Sequence, residues 1–257
     1  MQDYTIELSG GTDVGLIRPH NEDDYLVSDL GEYGALLGVA DGMGGANAGE
    51  IASALAIETV KRKFAPEFLE EVTRNDDGIL SFMEVVVKDA NLTIVNHSKA
   101  DNSTRGMGTT IVMAWIINGK AYVCWCGDSR CYVFNQQNGL TLLSHDHSLV
   151  QELADRGKLA PELMHGHPMS NIITRCLGDT DHAIPDTCIY QLQDNDMIML
   201  CSDGLCGICY DDMIQKTMSC YQESPTACKD ELIATALSAG GFDNVTVALA
   251  KVSFHTK

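Results

Sequence analysis

Four aspartates share one local setting. Asp41, Asp128, Asp203 and Asp243 each have a glycine within two residues, and each lies at the edge of an apolar, strand-like run. Glu22 and Asp23 precede another such run, Tyr25-Leu26-Val27, with Arg18 just upstream. Taken singly, Asp-Gly is a common tight turn. If those strands belong to packed sheets their ends can converge, and without a cation converging acids raise one another's pKa at a cost in stability. Carboxylate and carbonyl oxygens suit hard cations such as magnesium and manganese. No His/Cys ligand set points to zinc, and Cys206-Gly-Ile-Cys209 has no second CxxC to complete such a site. A carboxylate-bound metal pair beside an arginine suggests phosphate-ester hydrolysis. Two close metals activate a water, and a guanidinium can clasp phosphoryl oxygens through parallel hydrogen bonds.

The elements that must position these residues can be read along the 257-residue chain. Tyr4–Leu8 alternates as an outer strand. Leu36–Ala40 is a short apolar run opening into the glycine loop Gly42-Met43-Gly44-Gly45. Helices are expected over 49–64, with Lys61, Arg62 and Lys63 in a last turn suited to cations, and over 80–95. Asn118-Gly119 and Asn138-Gly139 are hairpin signals. They predict an antiparallel meander of strands 109–117, 120–126, 130–135 and 140–143, with Gly127-Asp128-Ser129-Arg130 as its middle turn. A short helix follows Ser148, then a long surface excursion from 158 to 186, of a length that is usually functional when ordered. Strands 187–192 and 197–201, helices 213–220 and 229–237 and a last strand 245–252 complete the order. No repeat or linker is visible, so one domain over 1–257 is the economical reading.

Composition narrows the function classes. The formal charge of −19 argues against nucleic acid or an anionic membrane as partner. No apolar run is long enough to span a bilayer and the N-terminus lacks the shape of a signal peptide, so a soluble, cytoplasmic protein is expected. The ten cysteines show no framework; Cys124, Cys126, Cys188 and Cys201 lie in apolar runs and read as buried thiols.

The ordered set Arg18-x-x-Asn21-Glu22-Asp23, Val39-Ala40-Asp41-Gly42-Met43-Gly44-Gly45, Gly106-x-Gly108-Thr109-Thr110, Gly127-Asp128-Ser129-Arg130, Ser202-Asp203-Gly204-Leu205 and Asp243-Asn244-Val245-Thr246 resembles the metal-dependent Ser/Thr protein phosphatases (the PPM, or type 2C, family), in particular the compact bacterial branch. The match runs from about Thr12 to Val252. It implies an α+β fold, two packed antiparallel β-sheets flanked by helices, with a metal centre in a cleft at one end. By resemblance, Asp41 would bridge two Mn2+ or Mg2+ ions. Asp203 and Asp243 would complete the first ion's ligands, and Glu22 and the Gly42 carbonyl would serve the second. Asp128, with Asp203, matches the pair for a weaker third ion. Asp23 would orient metal-bound water, Arg18 would bind the substrate phosphate, and Asn244 would fix Asp243 from outside the ligand set.

The implied reaction is hydrolysis of phosphoserine and phosphothreonine on proteins by direct attack of activated water. Its partners would be a Ser/Thr kinase and that kinase's substrates, and nothing demands more than a monomer. Residues 148–186 correspond to the family's variable flap beside the cleft, with Ser170 where relatives often carry arginine. Ala46 stands where relatives commonly place a histidine. A substitute general acid would be metal-bound water or one of His20, His145, His147, His165 and His167, each of which also reads as an ordinary surface or hydrogen-bonded histidine. The competing reading is a catalytically weak relative that binds phosphoproteins, which the retention of Asp41, Asp203, Asp243 and Arg18 disfavours.

Overall fold

The structure, a computed structural model, describes residues 4–44 and 48–255. In chain order the elements are β1 (Tyr4–Asp13), β2 (Asp23–Asp29), β3 (Ala35–Met43), α1 (Ala48–Lys63), α2 (Leu69–Val72), α3 (Asp76–Ala100), β4 (Gly108–Thr109), β5 (Ile111–Ile117), β6 (Lys120–Cys126), β7 (Arg130–Asn135), β8 (Gly139–Leu142), α4 (Leu149–Asp155), β9 (Asp186–Gln191), β10 (Met197–Cys201), α5 (Asp203–Cys206), α6 (Asp211–Cys220), α7 (Pro225–Ser238) and β11 (Val245–Phe254). One sheet has the order β1-β11-β10-β7-β8; the other runs β2-β3-β5-β6-β9, with β4 joined to β3. All pairings are antiparallel. The α+β class and the two-sheet arrangement agree with the expectation.

Three apolar layers explain the stacking. Leu37, Val39, Val112, Ala114, Val123 and Trp125 of one sheet meet Cys131, Val133, Ile198, Leu200, Ala248 and Ala250 of the other. Neighbouring residues on the same strands, Leu36, Ala40, Ile111, Met113 and Trp115, point the other way into α1 and α3. The outer face of the first sheet, through Tyr132, Met199 and Leu249, packs on α5, α6 and α7. Both faces of the central strands are therefore buried, which is why β5 reads Ile-Val-Met-Ala-Trp-Ile-Ile without polar alternation. Trp115 anchors the helix layer: its Nε1–H donates to the Tyr33 carbonyl at 2.8 Å, and Phe64 meets its ring edge-on.

The meander is corrected. β5 and β6 pair in one sheet and β7 and β8 in the other, so Gly127-Asp128-Ser129 carries the chain between layers instead of turning a hairpin. The reason is packing. β6 offers Val123 and Trp125, and β7 offers Cys131 and Val133, to the same inter-sheet core, so the two strands face each other across it. Asn118-Gly119 does form the expected tight hairpin, with φ of 55° and 73°. At the second Asn-Gly only Gly139 has positive φ; it pairs with Asn135, leaving a three-residue loop. The expected strand 109–117 is interrupted at Thr110, and the second long helix extends both ways, starting where the Asn75 side chain accepts from the Gly78 amide.

Candidate active site

The β2–β3 ladder sets Asp23 directly opposite Asp41. Asp41 lies inside its strand, not at its end, because β3 continues two residues to pair with β4. Its backbone is fixed on both sides: the amide donates to Thr110 Oγ1 at 3.0 Å, and the carbonyl accepts from the Thr110 amide and Thr109 Oγ1, both at 2.9 Å. Thr110 Oγ1 in turn lies 2.7 Å from Ser129 Oγ, which ties Asp41 to the segment carrying Asp128.

Glu22 is seated by its backbone. Its carbonyl accepts from the Gly42 amide at 3.1 Å and from Ser53 Oγ of α1 at 2.6 Å. This closeness requires glycine at 42, where a Cβ would fall 2.2 Å from the Gly49 carbonyl oxygen and 2.4 Å from that of Glu22. The start of α1, the β3 end and Glu22 thus form one packed junction. Asp23 is buried, and its Oδ2 accepts from Ser202 Oγ at 2.7 Å and Thr246 Oγ1 at 2.6 Å. Those hydroxyls come from the other sheet, so Asp23 joins the two layers at the cleft.

Asp203 opens α5, near enough to Asp41 that its charge acts on that carboxyl. Asp243 Oδ1 accepts from the Asn244 amide at 2.9 Å, and Arg18 Nη2 stands 2.6 Å from Asp243 Oδ2. Arg18 is thus brought to the cluster, seated on an acid expected to ligate metal. The Asn244 side chain does something other than expected. Its Oδ1 accepts from the Glu22 amide at 2.8 Å, and its Nδ2 donates to the carbonyls of Val14 and His20, each at 2.9 Å. It clamps the segment bearing Arg18 and Glu22, while only its backbone amide reaches Asp243. Asp128 is 7% exposed, and its Oδ1 has no hydrogen-bond partner among the described residues.

The electrostatics follow from burial and crowding. Desolvation, then the Ser202 and Thr246 hydrogen bonds working against it and nearby Asp203 and Asp243 working with it, leave Asp23 pushed up to about 7. Asp41 is raised by burial and by Asp23, Asp203, Asp128 and Asp243. Asp128 is raised by burial, then by Asp203 and Asp146. Asp203 is raised chiefly by burial and Asp243. Among the described residues, no three His, Cys, Asp or Glu side chains are arranged to hold one ion between them. The donors present are nonetheless carboxylate oxygens, one of them without a partner among the described residues, in a site where the acids outnumber Arg18 and Arg130. That set fits ions that keep several waters and take one or two carboxylates each, such as magnesium, better than a closed zinc site.

Two clusters beside the acids escaped the sequence. Arg130 Nε and Nη2 grip the buried Asp146 at 2.7–3.1 Å. His147, 4% exposed, accepts the Gly127 amide on Nδ1 at 3.1 Å and lies 3.0 Å from Asp186 Oδ2 through Nε2. Since Nδ1 accepts, Nε2 carries the proton. His147 therefore buttresses the residue preceding Asp128, and burial, the largest influence, lowers its pKa. Arg130 and His147 each sit beside a motif acid, but no spacing rule pairs them with residues 16 and 39 positions away.

Among the other histidines, His165 departs from the ordinary surface or hydrogen-bonded kind, since its Nε2 is buried with no hydrogen-bond partner among the described residues. His145 lies 2.8 Å from Asp155, and the His165 ring stacks on Tyr210 at 3.9 Å. No histidine hydrogen bond reaches Asp41, Asp203 or Asp243 among the described residues. Ala46 lies outside the described residues. Cys206 and Cys209 are buried in the outer apolar layer, in agreement with a packing role.

Comparison with known proteins converges on one class. The protein phosphatase 2C family model matches residues 18–236, and the chain belongs to that family of serine/threonine protein phosphatases. It is 34% identical over 248 residues to the serine/threonine phosphatase stp of Listeria welshimeri, covering 96% of each chain. Among solved structures it superposes on the serine/threonine phosphatase of S. agalactiae with a TM-score of 0.85 at 32% identity, covering 96% of this chain and 99% of that one. It also superposes on the catalytic domain of the phosphatase PstP, solved in complex with two manganese ions, with a TM-score of 0.81 at 30% identity, covering 98% and 100%. No helix among the described residues is long and apolar enough to cross a membrane.

Proposed function

We propose that this chain hydrolyses phosphoserine and phosphothreonine in proteins, in a cleft that takes two manganese or magnesium ions. The observation that carries the proposal is the meeting of Asp23, Asp41, Asp128 and Asp203, each raised in pKa chiefly by burial and then by neighbouring acids, with Asp128 Oδ1 unpartnered among the described residues, beside Arg18 on Asp243. When bound, such ions supply a water activated for attack at neutral pH.

Asp41 would touch both ions, Asp203 and Asp243 the first, and Glu22 with the Gly42 carbonyl the second. Asp128 and Asp203 would offer a weaker third place. Arg18 would clasp the phosphoryl oxygens from the cleft edge, where its side chain is half exposed. Asp23, locked by two hydroxyl donors on Oδ2, presents its other oxygen as a fixed acceptor that orients water. The substrates would be products of a Ser/Thr kinase, whose reaction forms these esters. Both sheets contribute to the site, which supports 1–257 as one catalytic domain. Residues 148–186 would act as the flap; the bridge Ser148↔Ile173 closes the segment on itself, and Thr109↔Leu177 ties it to the body.

The test is hydrolysis of a phosphothreonine peptide by metal-stripped protein with manganese, magnesium, zinc or calcium restored, beside Asp203→Ala. Turnover requiring manganese or magnesium and absent in Asp203→Ala supports the reading. Absence of turnover from protein that still binds manganese overturns it.

A further inference from the structure

The loops that carry Arg18 and Asp243 also hold the three most exposed large apolar side chains of the described residues: Leu16 and Ile17, each 65% exposed, and Phe242 at 63%. Val14 adds a fourth at 36%. A lone exposed apolar residue is ordinary. These residues are grouped instead, because the Leu16 amide donates to the Gly241 carbonyl at 2.7 Å and holds one loop against the other. Gly241 has φ +53°, and a Cβ there would fall 2.9 Å from Leu16 Cγ, so the two loops touch at van der Waals range. The Asn244 side chain pins the same segment at Val14 and at His20. The side chains thus stand in solvent on a fixed backbone. Exposed apolar side chains gathered on two joined loops mark a candidate binding surface, and a pinned one loses little conformational freedom when it binds.

We propose that Leu16, Ile17 and Phe242 form a docking wall for the substrate polypeptide, taking a bulky apolar side chain one to three residues from the phosphorylated position. This rests on the phosphatase reading, in which Arg18 receives the phosphate. Ile17 adjoins Arg18 in the chain and Phe242 adjoins Asp243, and Arg18 Nη2 stands 2.6 Å from Asp243 Oδ2, so the two loops that bear the wall meet at the site. An extended chain advances about 3.3 Å per residue, which brings neighbouring side chains over the patch when the phosphate lies at Arg18. A second copy of this chain is the poorer occupant, because two bodies of formal charge −19 repel.

The experiment uses the full chain with manganese and two phosphothreonine peptides, one with leucines flanking the phosphothreonine and one with serines. The wild type should show roughly tenfold higher kcat/KM on the leucine peptide, expressed mainly in KM. Ile17→Ser with Phe242→Ser should bring the two peptides to within about twofold, and Ile17→Leu should keep the preference. Hydrolysis of both peptides at equal kcat/KM overturns the docking wall and leaves the phosphatase reading standing. Hydrolysis of neither defeats both. A preference that survives the double variant overturns the assignment, as does a wild-type dimer dissociated by these substitutions in a protein without peptide preference.

Discussion

Asp23→Asn isolates one buried charge. In the unfolded chain Asp23 titrates near the ordinary carboxylate value of about 3.9; in the fold it is pushed up to about 7, chiefly by burial. Between those values the folded state of metal-free protein holds a proton that the unfolded state has released. Its contribution to stability is therefore largest below about pH 4 and is lost as pH rises through about 7. The whole difference amounts to about 4 kcal/mol, at about 1.4 kcal/mol per pH unit within the window. Asparagine keeps an oxygen for the Ser202 and Thr246 hydroxyls while removing the titration. Urea unfolding in chelator from pH 5 to pH 8 should show the wild type losing stability steadily. Asp23→Asn should show a slope shallower by about one proton's worth, and higher stability than wild type at pH 8. An unchanged slope, or an Asn variant weaker than wild type at pH 8, would refute the placement of Asp23 as a buried acid crowded by its neighbours.

Four further outcomes follow from particular contacts. Arg130→Met leaves Asp146 buried without its partner and should cost about 3–5 kcal/mol in denaturant unfolding. Gly42→Ala drives a methyl into the Gly49 and Glu22 carbonyls; a loss of about 3 kcal/mol is expected, and an unchanged urea midpoint would show the junction to be looser than it stands. His147→Ala strands the buried Gly127 amide and should lower stability by roughly 2 kcal/mol, read by the same unfolding. Arg18→Lys gives up paired N–H donation to phosphate, so peptide kinetics should show KM rising about tenfold with kcat less affected.

Much of the site was legible because its chemistry is written locally. An apolar run ending in Asp-Gly marks a carboxylate held by a strand, and two such marks at Asp41 and Asp203, with Asp128 and Asp243 beside glycines at other strand edges and with Arg18 and Glu22-Asp23, named the acids that the fold brings together. Periodicity gave β6 and β10 to the residue, because strands buried on both faces are bounded by abrupt polar turns. It failed at Gly127–Ser129. A turn between two strands looks the same whether the strands lie side by side or face each other across a core, and only the packing of Val123 and Trp125 against Cys131 and Val133 decides.

The same limit hid Arg130–Asp146, His147–Asp186 and the hydroxyls of Ser202 and Thr246 on Asp23. Each pairing spans layers or loops, so its geometry exists only after the sheets stack. Sequence by itself determined which residues carry the oxygen donors, the guanidinium and the flexible backbone, since those are properties of residue types at short spacing. Tertiary structure decided that Asp23 faces Asp41, that Asn244 clamps the Arg18 segment instead of gripping Asp243 with its side chain, and that Asp128 keeps an oxygen with no partner among the described residues. Those outcomes depend on distances between elements far apart in the chain, which burial and register alone set.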